Sequence, residues 1–287
     1  MSNKLTFKKV FGQIYIWLIL LLMYLPILLL IAYSFTTSTN IGGWSGFSFD
    51  LYSALFKNEE IMVALGNTLL LAIISAAVAT LLGTIGAIGA FYSKKRVRNA
   101  IDGMTQIPLV SAEIVMAFSL TILFVFLGTK VFGGERLKSF WTLLIGHVLI
   151  SVPFVYTSVK PKLEQMDPSL YEAALDLGCT PRRAMSKVMI PEIMPGIFSG
   201  FLLSITLSLD DYVVTAFTRG PGLLSGEGEI ETLSTLIQSK IVRGPVPPEM
   251  RALTTIIFIV VVVAVILITI YKNKTSGKKK LRKGRQY

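Results

Sequence analysis

The chain has 287 residues, 53% of them apolar, and a formal net charge of +11. Its mean hydropathy of +0.65 excludes an ordinary soluble domain and indicates a polytopic membrane protein. The single cysteine, Cys179, excludes an intrachain disulfide, and the single histidine, His147, excludes a two-histidine zinc site within one chain. No G-x-x-x-x-G-K-[ST] motif occurs, so the chain has no phosphate-binding loop of its own.

Six apolar segments are long enough to cross a bilayer, which takes roughly 20 helical residues. We predict them at about 12–35, 62–92, 100–128, 139–159, 192–218 and 251–271. The first is too long for a cleaved signal peptide, so we interpret it as retained. The expected architecture is all-α, with six transmembrane helices in one membrane domain over residues 1–287. Its core would span about 60–271, preceded by a first helix and outer loop at 1–59 and followed by a basic tail at 272–287.

Lys and Arg concentrate in alternate connections of this arrangement. Most of the 28 lie in the N-terminal segment, in the connections after the second and fourth spans, and in the tail. Positively charged connections stay in the cytosol, so both termini are expected there. The excess charge is therefore a topology signal and does not indicate nucleic-acid binding. The tail is either a solvated cluster or a segment with affinity for anionic lipid.

Spans two, three and four each contain residues of interest. In span two, Gly83/Ala87 and Gly86/Ala90 form small-xxx-small pairs that allow another helix to approach closely. Span three contains Glu113, an acid that is costly inside a bilayer and is therefore a candidate functional residue. His147, in span four, is interpreted as a packed, hydrogen-bonded residue, with a proton relay as the alternative.

The connection from Asp167 to Pro191 is a polar segment that predicts two short helices. Asp167 and Pro168 give a start signal for a helix over 168–177, and Gly178 gives a left-handed stop. Thr180 and Pro181 repeat the start signal, and Pro191 is expected to close the second helix. In the first helix, Leu170, Ala173, Ala174 and Leu177 share one face, which forms a shallow surface for a partner.

This segment resembles the EAA loop of ABC importer permeases. In that family the loop reads EAA, three residues, Gly, nine residues, Ile-x-Leu-Pro. Here it reads Glu172-Ala173-Ala174, three residues, Gly178, nine residues, Val188-x-Ile190-Pro191, with two conservative departures. The resemblance implies that Glu172, Ala173, Ala174, Gly178 and Pro191 couple the membrane helices to a cytosolic ATPase.

Span five contains two adjacent acids, Asp210 and Asp211. No Lys or Arg lies between the ends of any of the six spans, so these carboxylates have no counter-ion there. They are either protonated or hydrogen-bonded structural groups, or they line a wet cavity in which a cationic substrate is the counter-ion. Tyr212 could add cation–π attraction. The two acids are about 100° apart on a helix, so both face one pathway only if the helix unwinds there.

The last connection before the sixth span contains a further helical pattern. Leu233, Leu236, Ile237 and Ile241 predict a short amphipathic helix on the outer face. Its surface either receives an extracellular binding protein or caps the bundle.

A second resemblance concerns the substrate. The stretches 111–120 (SAEIVMAFSL) and 208–215 (SLDDYVVT), followed by Gly220-Pro221-Gly222, look like the C-type permease of spermidine/putrescine ABC importers. With the EAA-like loop, the similarity covers roughly 60–271. Where Ala112 stands the family commonly has proline.

Together the two resemblances imply a type I importer permease with a MetI-like fold, in a bacterial plasma membrane. The chain itself would not be an enzyme. Its implied partners are a second homologous permease, a cytosolic ATPase dimer that binds ATP and Mg²⁺, and an external polyamine-binding protein. Glu113, Asp210, Asp211 and Tyr212 would line the substrate pathway. The alternatives are a related importer for another small solute and an ion-gradient-driven carrier that uses the same acids.

Overall fold

A computed structural model describes residues 2–38, 43–131, 139–167, 169–220, 230–244 and 247–263 of the chain. All regular secondary structure in these ranges is helical, with one π-helical segment at Met185–Met189. The α-helices are α1 (Ser2–Ser34), α2 (Asp50–Lys57), α3 (Glu59–Tyr92), α4 (Lys95–Val110), α5 (Glu113–Lys130), α6 (Phe140–Gln165), α7 (Ser169–Asp176), α8 (Pro181–Ala184), α9 (Ile190–Asp210), α10 (Val213–Thr218), α11 (Leu233–Arg243) and α12 (249–263).

Five helical stretches within the described residues are long and apolar enough to cross a membrane. They are Gly12–Ser34, Glu59–Tyr92, Glu113–Lys130, Phe140–Gln165 and Pro181–Asp210. The sixth predicted span begins in α12, and its remainder, like the basic tail, lies outside the described residues. The all-helical membrane architecture predicted from the sequence is confirmed.

The chain divides into two compact units, Met1–Met62 with Gly244–Tyr287, and Val63–Arg243. In the first, the N-terminal helix has an exposed apolar surface from Ile14 to Leu29, as expected of a helix in lipid. Within the same unit the guanidinium of Arg251 donates to the carbonyl of Ser38 at 3.0 Å. The prediction of a single domain stays a prediction.

The second unit is built around α6, which packs along α9. Glycines bring the backbones together. A Cβ at Gly200 would lie 3.0 Å from Val155 Cα, and one at Gly83 of α3 would lie 2.7 Å from Val155 Cβ. Ala87 and Ala90 are also buried. The small residues of span two therefore do allow close helix packing, as predicted.

Two predicted spans are interrupted, which corrects the sequence assignment. Instead of one helix over 100–128, α4 ends at Val110 and α5 begins at Glu113, with extended backbone at Ser111 and Ala112. Ser111 satisfies the end of α4, since both its N–H and its hydroxyl donate to the carbonyl of Ile107, at 3.0 and 2.8 Å. α4 has four charged residues among 16 and is not one of the apolar candidate spans. Apolar composition alone did not reveal this break.

The predicted span 192–218 is interrupted in the same way. α9 ends at Asp210, and α10 begins at Val213. The helix therefore does unwind at the Asp210–Asp211 pair, which was the condition for both side chains to face one pathway.

Pro191 does not end a helix, contrary to the prediction. α8 continues through the π-helical segment into α9, and Pro191 lies in the first turn of α9. In an α-helix the proline ring clashes with the carbonyl four residues earlier, here Lys187. Lys187 lies within the wider π-helical turn, in which the N–H of Ile190 donates to the carbonyl of Met185 and not to that of Ser186. Helix 181–210 therefore runs without a loop from the polar segment into the bundle.

Candidate functional site

The two helix breaks lie beside one cavity of about 150 Å³. The cavity is lined by residues of α5, α6, α9 and the α9–α10 joint: Glu113, His147, Ile150, Ser151, Leu207, Ser208, Asp210 and Asp211. Both predicted acidic positions therefore meet at one place. Glu113 was expected part-way along a helix. It is instead the first residue of α5, where the helix dipole favours a negative charge.

The structure separates the roles of Asp210 and Asp211. The side chain of Asp211 is only 8% exposed. Its carboxylate accepts hydrogen bonds from the N–H groups of Val214 (3.3 Å) and Thr215 (2.8 Å), and from the Thr215 hydroxyl (3.0 Å). Asp211 therefore caps the start of α10. Asp210 is exposed at the last position of α9, so it is the aspartate with a free face towards the cavity.

His147 is buried, with 2% of its side chain exposed. Its Nδ1 lies 2.8 Å from Ser208 Oγ and its Nε2 lies 2.9 Å from Thr215 Oγ1. The same Nε2 is 3.5 Å from Asp211 Oδ2. The prediction of a packed, hydrogen-bonded histidine agrees with this geometry. What the sequence did not indicate is that the ring also lines the acidic cavity.

Tyr212 lies at the helix break and is 41% exposed, but it is not among the residues that line the cavity. Above the joint, α11 packs with Leu233 and Leu236 buried, and the hydroxyl of Ser234 donates to the backbone carbonyl of Asp211 at 2.7 Å. The predicted amphipathic helix is thus present, and its buried face covers the helix break.

A second polar cluster, between α4 and α6, was missed in the sequence. Lys160 Nζ lies 2.8 Å from Asp102 Oδ1, and Tyr156 donates to the same oxygen at 2.6 Å. Arg98 pairs with Glu164. The hydrogen bond from Lys160, with that from Tyr156, holds the pKa of Asp102 below its ordinary value. The charged i, i+4 pair of Lys160 and Glu164 was the available sequence signal.

At the EAA-like segment, α7 ends as predicted. Gly178 has φ +83°; its N–H donates to Leu175 O at 2.9 Å, and the N–H of Cys179 donates to Ala174 O at 3.0 Å. This is a Schellman motif, which glycine accommodates without strain. Pro168 lies outside the described residues. Asp167 provides the cap, as predicted, by accepting from the N–H of Ser169 at 3.0 Å.

The predicted apolar face of α7 is divided between two environments. Ala174 is buried, and Tyr171 packs against the ring of Tyr92 at a centroid distance of 5.9 Å, which anchors α7 to the bundle. Leu177 is 86% exposed and Leu170 45%. Glu172, Ala173 and Pro191 are exposed as well. Part of the face is therefore packed within the chain, and the rest is free for a partner.

No group of three His, Cys, Asp or Glu side chains within the described residues could hold a metal ion. The features that stand out are therefore the acidic cavity and the exposed side of α7.

Comparisons with known proteins agree on one family. Residues 79–273 match the model described as "Binding-protein-dependent transport system inner membrane component". The spermidine/putrescine transport system permease protein PotC of Escherichia coli K12 is 36% identical over 256 residues, which is 89% of this chain and 91% of that protein. The putrescine transport system permease protein PotI of the same strain is 36% identical over 236 residues, 82% of this chain and 81% of that protein.

Solved structures show the same fold. A chain of a bacterial ABC transporter that imports the acidic polysaccharide alginate superposes with a TM-score of 0.66 at 13% identity, over 95% of this chain and 98% of its own. A chain from the alginate transporter in complex with a pentasaccharide-bound periplasmic protein gives 0.65 at 20% identity, over 93% and 92%.

Proposed function

This chain belongs to the family of binding-protein-dependent transport system inner membrane components, and we propose that it forms part of the membrane pathway by which an ATP-driven importer takes up polyamines. Membership makes it a multi-pass permease subunit of an ABC importer, in which a separate subunit hydrolyses ATP. The resemblance drawn from the EAA-like segment is thereby confirmed. The family favours this reading over the ion-gradient-driven carrier.

The observation that carries the polyamine proposal is the cavity at the two helix breaks. Glu113 and Asp210 both line it, and no Lys or Arg is among its described lining residues. A carboxylate that is away from bulk water needs a cationic partner or a proton. A polyamine supplies ammonium groups separated by methylenes, which suit a cavity lined also by Ile150 and Leu207. The relatives named for spermidine and putrescine support the same substrate class.

The size of the cavity indicates how the substrate would be held. Its volume of about 150 Å³ is roughly that of five water molecules in the liquid. It would therefore take one ammonium group with its adjacent methylenes, and the rest of the substrate would extend towards a second, homologous permease. Discontinuous helices at the depth of the substrate site are a general feature of transporters, because unwound backbone is tolerated where it lines a cavity.

We place the ATPase contact at α7. Its exposed side presents Glu172, Ala173 and Leu177, while Tyr171 and Ala174 anchor it to the bundle. α7 packs against the π-helical segment, which continues into α9 and so to Asp210. Movement of α7 would thus be passed along a continuous helix to the cavity. ATP and Mg²⁺ would be bound by the partner ATPase dimer, and a polyamine-binding protein would deliver the substrate from outside.

The positively charged connections support an orientation with both termini and α7 in the cytosol. This orientation, the second permease and the identity of the binding protein are parts of the proposal. They are tested by reconstituting the full transporter in vesicles.

The experiment is uptake of labelled spermidine and putrescine by vesicles that contain the full transporter and trapped ATP. Asp210→Asn is expected to lower uptake about tenfold or more, since an ionic hydrogen bond is lost from the pathway, with assembly unchanged. Asp50→Asn, a change of the same kind at an exposed position in α2, is the control. Uptake by Asp210→Asn at the wild-type rate would contradict the role of the cavity. ATP-dependent uptake of another solute, with no uptake of polyamines, would contradict the substrate class.

A further inference from the structure

A continuous row of buried side-chain hydrogen bonds runs from α3 to the helix break. Ser75 Oγ donates to Ser208 Oγ at 3.2 Å, and Ser208 Oγ lies 2.8 Å from His147 Nδ1. On the other side of the ring, Nε2 lies 2.9 Å from Thr215 Oγ1, which donates to Asp211 Oδ2 at 3.0 Å. Four helices, α3, α9, α6 and α10, are thus joined through one imidazole.

The direction of these bonds follows from their end point. A carboxylate only accepts, so Thr215 donates its hydroxyl proton to Asp211 and must itself accept from His147. Nε2 therefore carries the ring proton, and Nδ1 accepts from Ser208. Ser208 and Thr215 each donate once and accept once, and Ser75 begins the row as a donor. A neutral histidine with its proton on Nε2 satisfies every member of the row.

The packing leaves this ring little freedom. The side chains of Ser75, Ser208, His147 and Thr215 are all at most 4% exposed. The preceding residue, Gly146, lets α6 touch α10: a Cβ there would lie 2.8 Å from Val214 Cγ1 and 3.3 Å from Thr218 Oγ1. The imidazole therefore bridges Ser208 of α9 and Thr215 of α10 across the helix break.

We infer that His147 is a positioning residue of the transport cavity, acting through Thr215 and Asp211. Both aspartates line the cavity, but by holding Thr215 the histidine keeps the Asp211 carboxylate bound as the cap of α10, and this leaves the exposed Asp210 carboxylate to bind the substrate. The inference rests on the proposed function for what the cavity takes. The geometry of the joint itself does not depend on the solute.

Three substitutions separate this role from simple packing and from proton transfer. His147→Gln places an amide N–H where Nε2–H lies, so it keeps the bond to Thr215. His147→Asn reaches only the Ser208 side. His147→Phe fills the volume without any hydrogen bond. Each is reconstituted as the full transporter, and the ratio of substrate transported to ATP hydrolysed is measured together with the amount assembled.

If His147 positions the joint, His147→Gln stays within about twofold of wild type. His147→Asn and His147→Phe lose about tenfold in solute transported per ATP, although they assemble. Wild-type transport by His147→Phe would show that only the shape of the ring matters. A Gln variant as impaired as the Phe variant would show that the hydrogen bond to Thr215 is not the essential feature. Either result overturns the inference.

A solute-independent measurement distinguishes this inference from the proposed function. The chain has one cysteine, Cys179, so Cys179→Ser with Asp210→Cys gives a single reporter thiol at the joint. Its rate of labelling by a water-soluble thiol reagent is expected to change about tenfold with His147→Phe and to stay within about twofold with His147→Gln. If the labelling rates differ in this way but the wild-type transporter takes up no polyamine, the proposed substrate class is refuted and the positioning role of His147 is upheld. Equal labelling rates in all variants would overturn the positioning role.

Discussion

Substitution of Gly178 tests whether the end of α7 must be rigid for the transporter to work. Gly178 has φ +83°, and apart from its chain neighbours no atom of the described residues lies within 4 Å of where a Cβ would be built. Within this chain, the effect of a side chain there is therefore due to the backbone conformation and not to a steric clash. We compare Gly178→Asn, Gly178→Ala and Gly178→Val, in order of increasing strain in the left-handed region.

The expected magnitude follows from the conformation. A left-handed residue other than glycine costs about 1–2 kcal/mol, with asparagine at the low end and a β-branched residue above it. Such a cost is a factor of about 5–30 in the population of the native turn. Leaving the turn would break the bonds from Gly178 to Leu175 and from Cys179 to Ala174. Leu177 would then no longer be held at the tip of α7.

The assay measures ATP hydrolysis and uptake in the same vesicles. Gly178→Val is expected to hydrolyse ATP while transporting several-fold less solute per ATP, with Gly178→Asn close to wild type and Gly178→Ala between them. Gly103→Val is the matched control, because a Cβ at Gly103 would have no atom of the described residues within 4 Å and its φ is not positive. Equal coupling ratios in all three Gly178 variants would refute the idea that a rigid turn transmits the movement.

Two further predictions concern the fold. Gly196→Ala is expected to destabilise the protein by about 1–3 kcal/mol, because the new Cβ would lie 2.9 Å from the carbonyl oxygen of Ser158. Gly89→Ala, where a Cβ meets no atom of the described residues within 4 Å, is the control and is expected to be neutral. The two variants are compared by thermal unfolding in detergent, and equal midpoints would contradict the close packing of α6 and α9. Asp102 has a lowered pKa in the folded state, so its stabilising contribution is present above its unfolded pKa of about 3.9 and is lost as the pH falls through the lower folded value. Asp102→Asn should therefore be less stable than wild type at pH 7, and its stability should fall less steeply on acidification. The same unfolding assay measures both, and parallel pH profiles would show that the ion pair with Lys160 does not contribute to stability.

Features that depend on neighbours in the chain could be predicted from the sequence. The left-handed turn at Gly178, the helix start at Thr180-Pro181 and the short helix at Leu233–Arg243 follow from local sterics and apolar spacing, and the structure confirms all three. The length and composition of the apolar segments likewise predicted a helical membrane protein. The family resemblance rested on the spacing of the EAA-like segment, and the family match confirms it.

Pro191 and the two helix breaks could not be read in this way. Pro191 was expected to end a helix. The π-helical turn before it accommodates a residue without an N–H, and the helix continues into the bundle. The segments 100–128 and 192–218 are continuous in composition but divided in the fold. Whether such a helix stays intact is decided by the partners that satisfy its end groups, and these come partly from other helices.

The sequence by itself therefore determined the class of protein, the number of apolar segments and the presence of acids among them with no Lys or Arg between the ends of the same segments. Only the tertiary structure distinguished the two aspartates, with Asp211 capping α10 and Asp210 exposed at the end of α9. It also brought His147 between Ser208 and Thr215, which are 61 and 68 residues away along the chain. Local propensity acts over a few residues and accounts for the donors to Asp211 at Val214 and Thr215, whereas the imidazole that binds the Thr215 hydroxyl is brought within 3 Å of it only by folding.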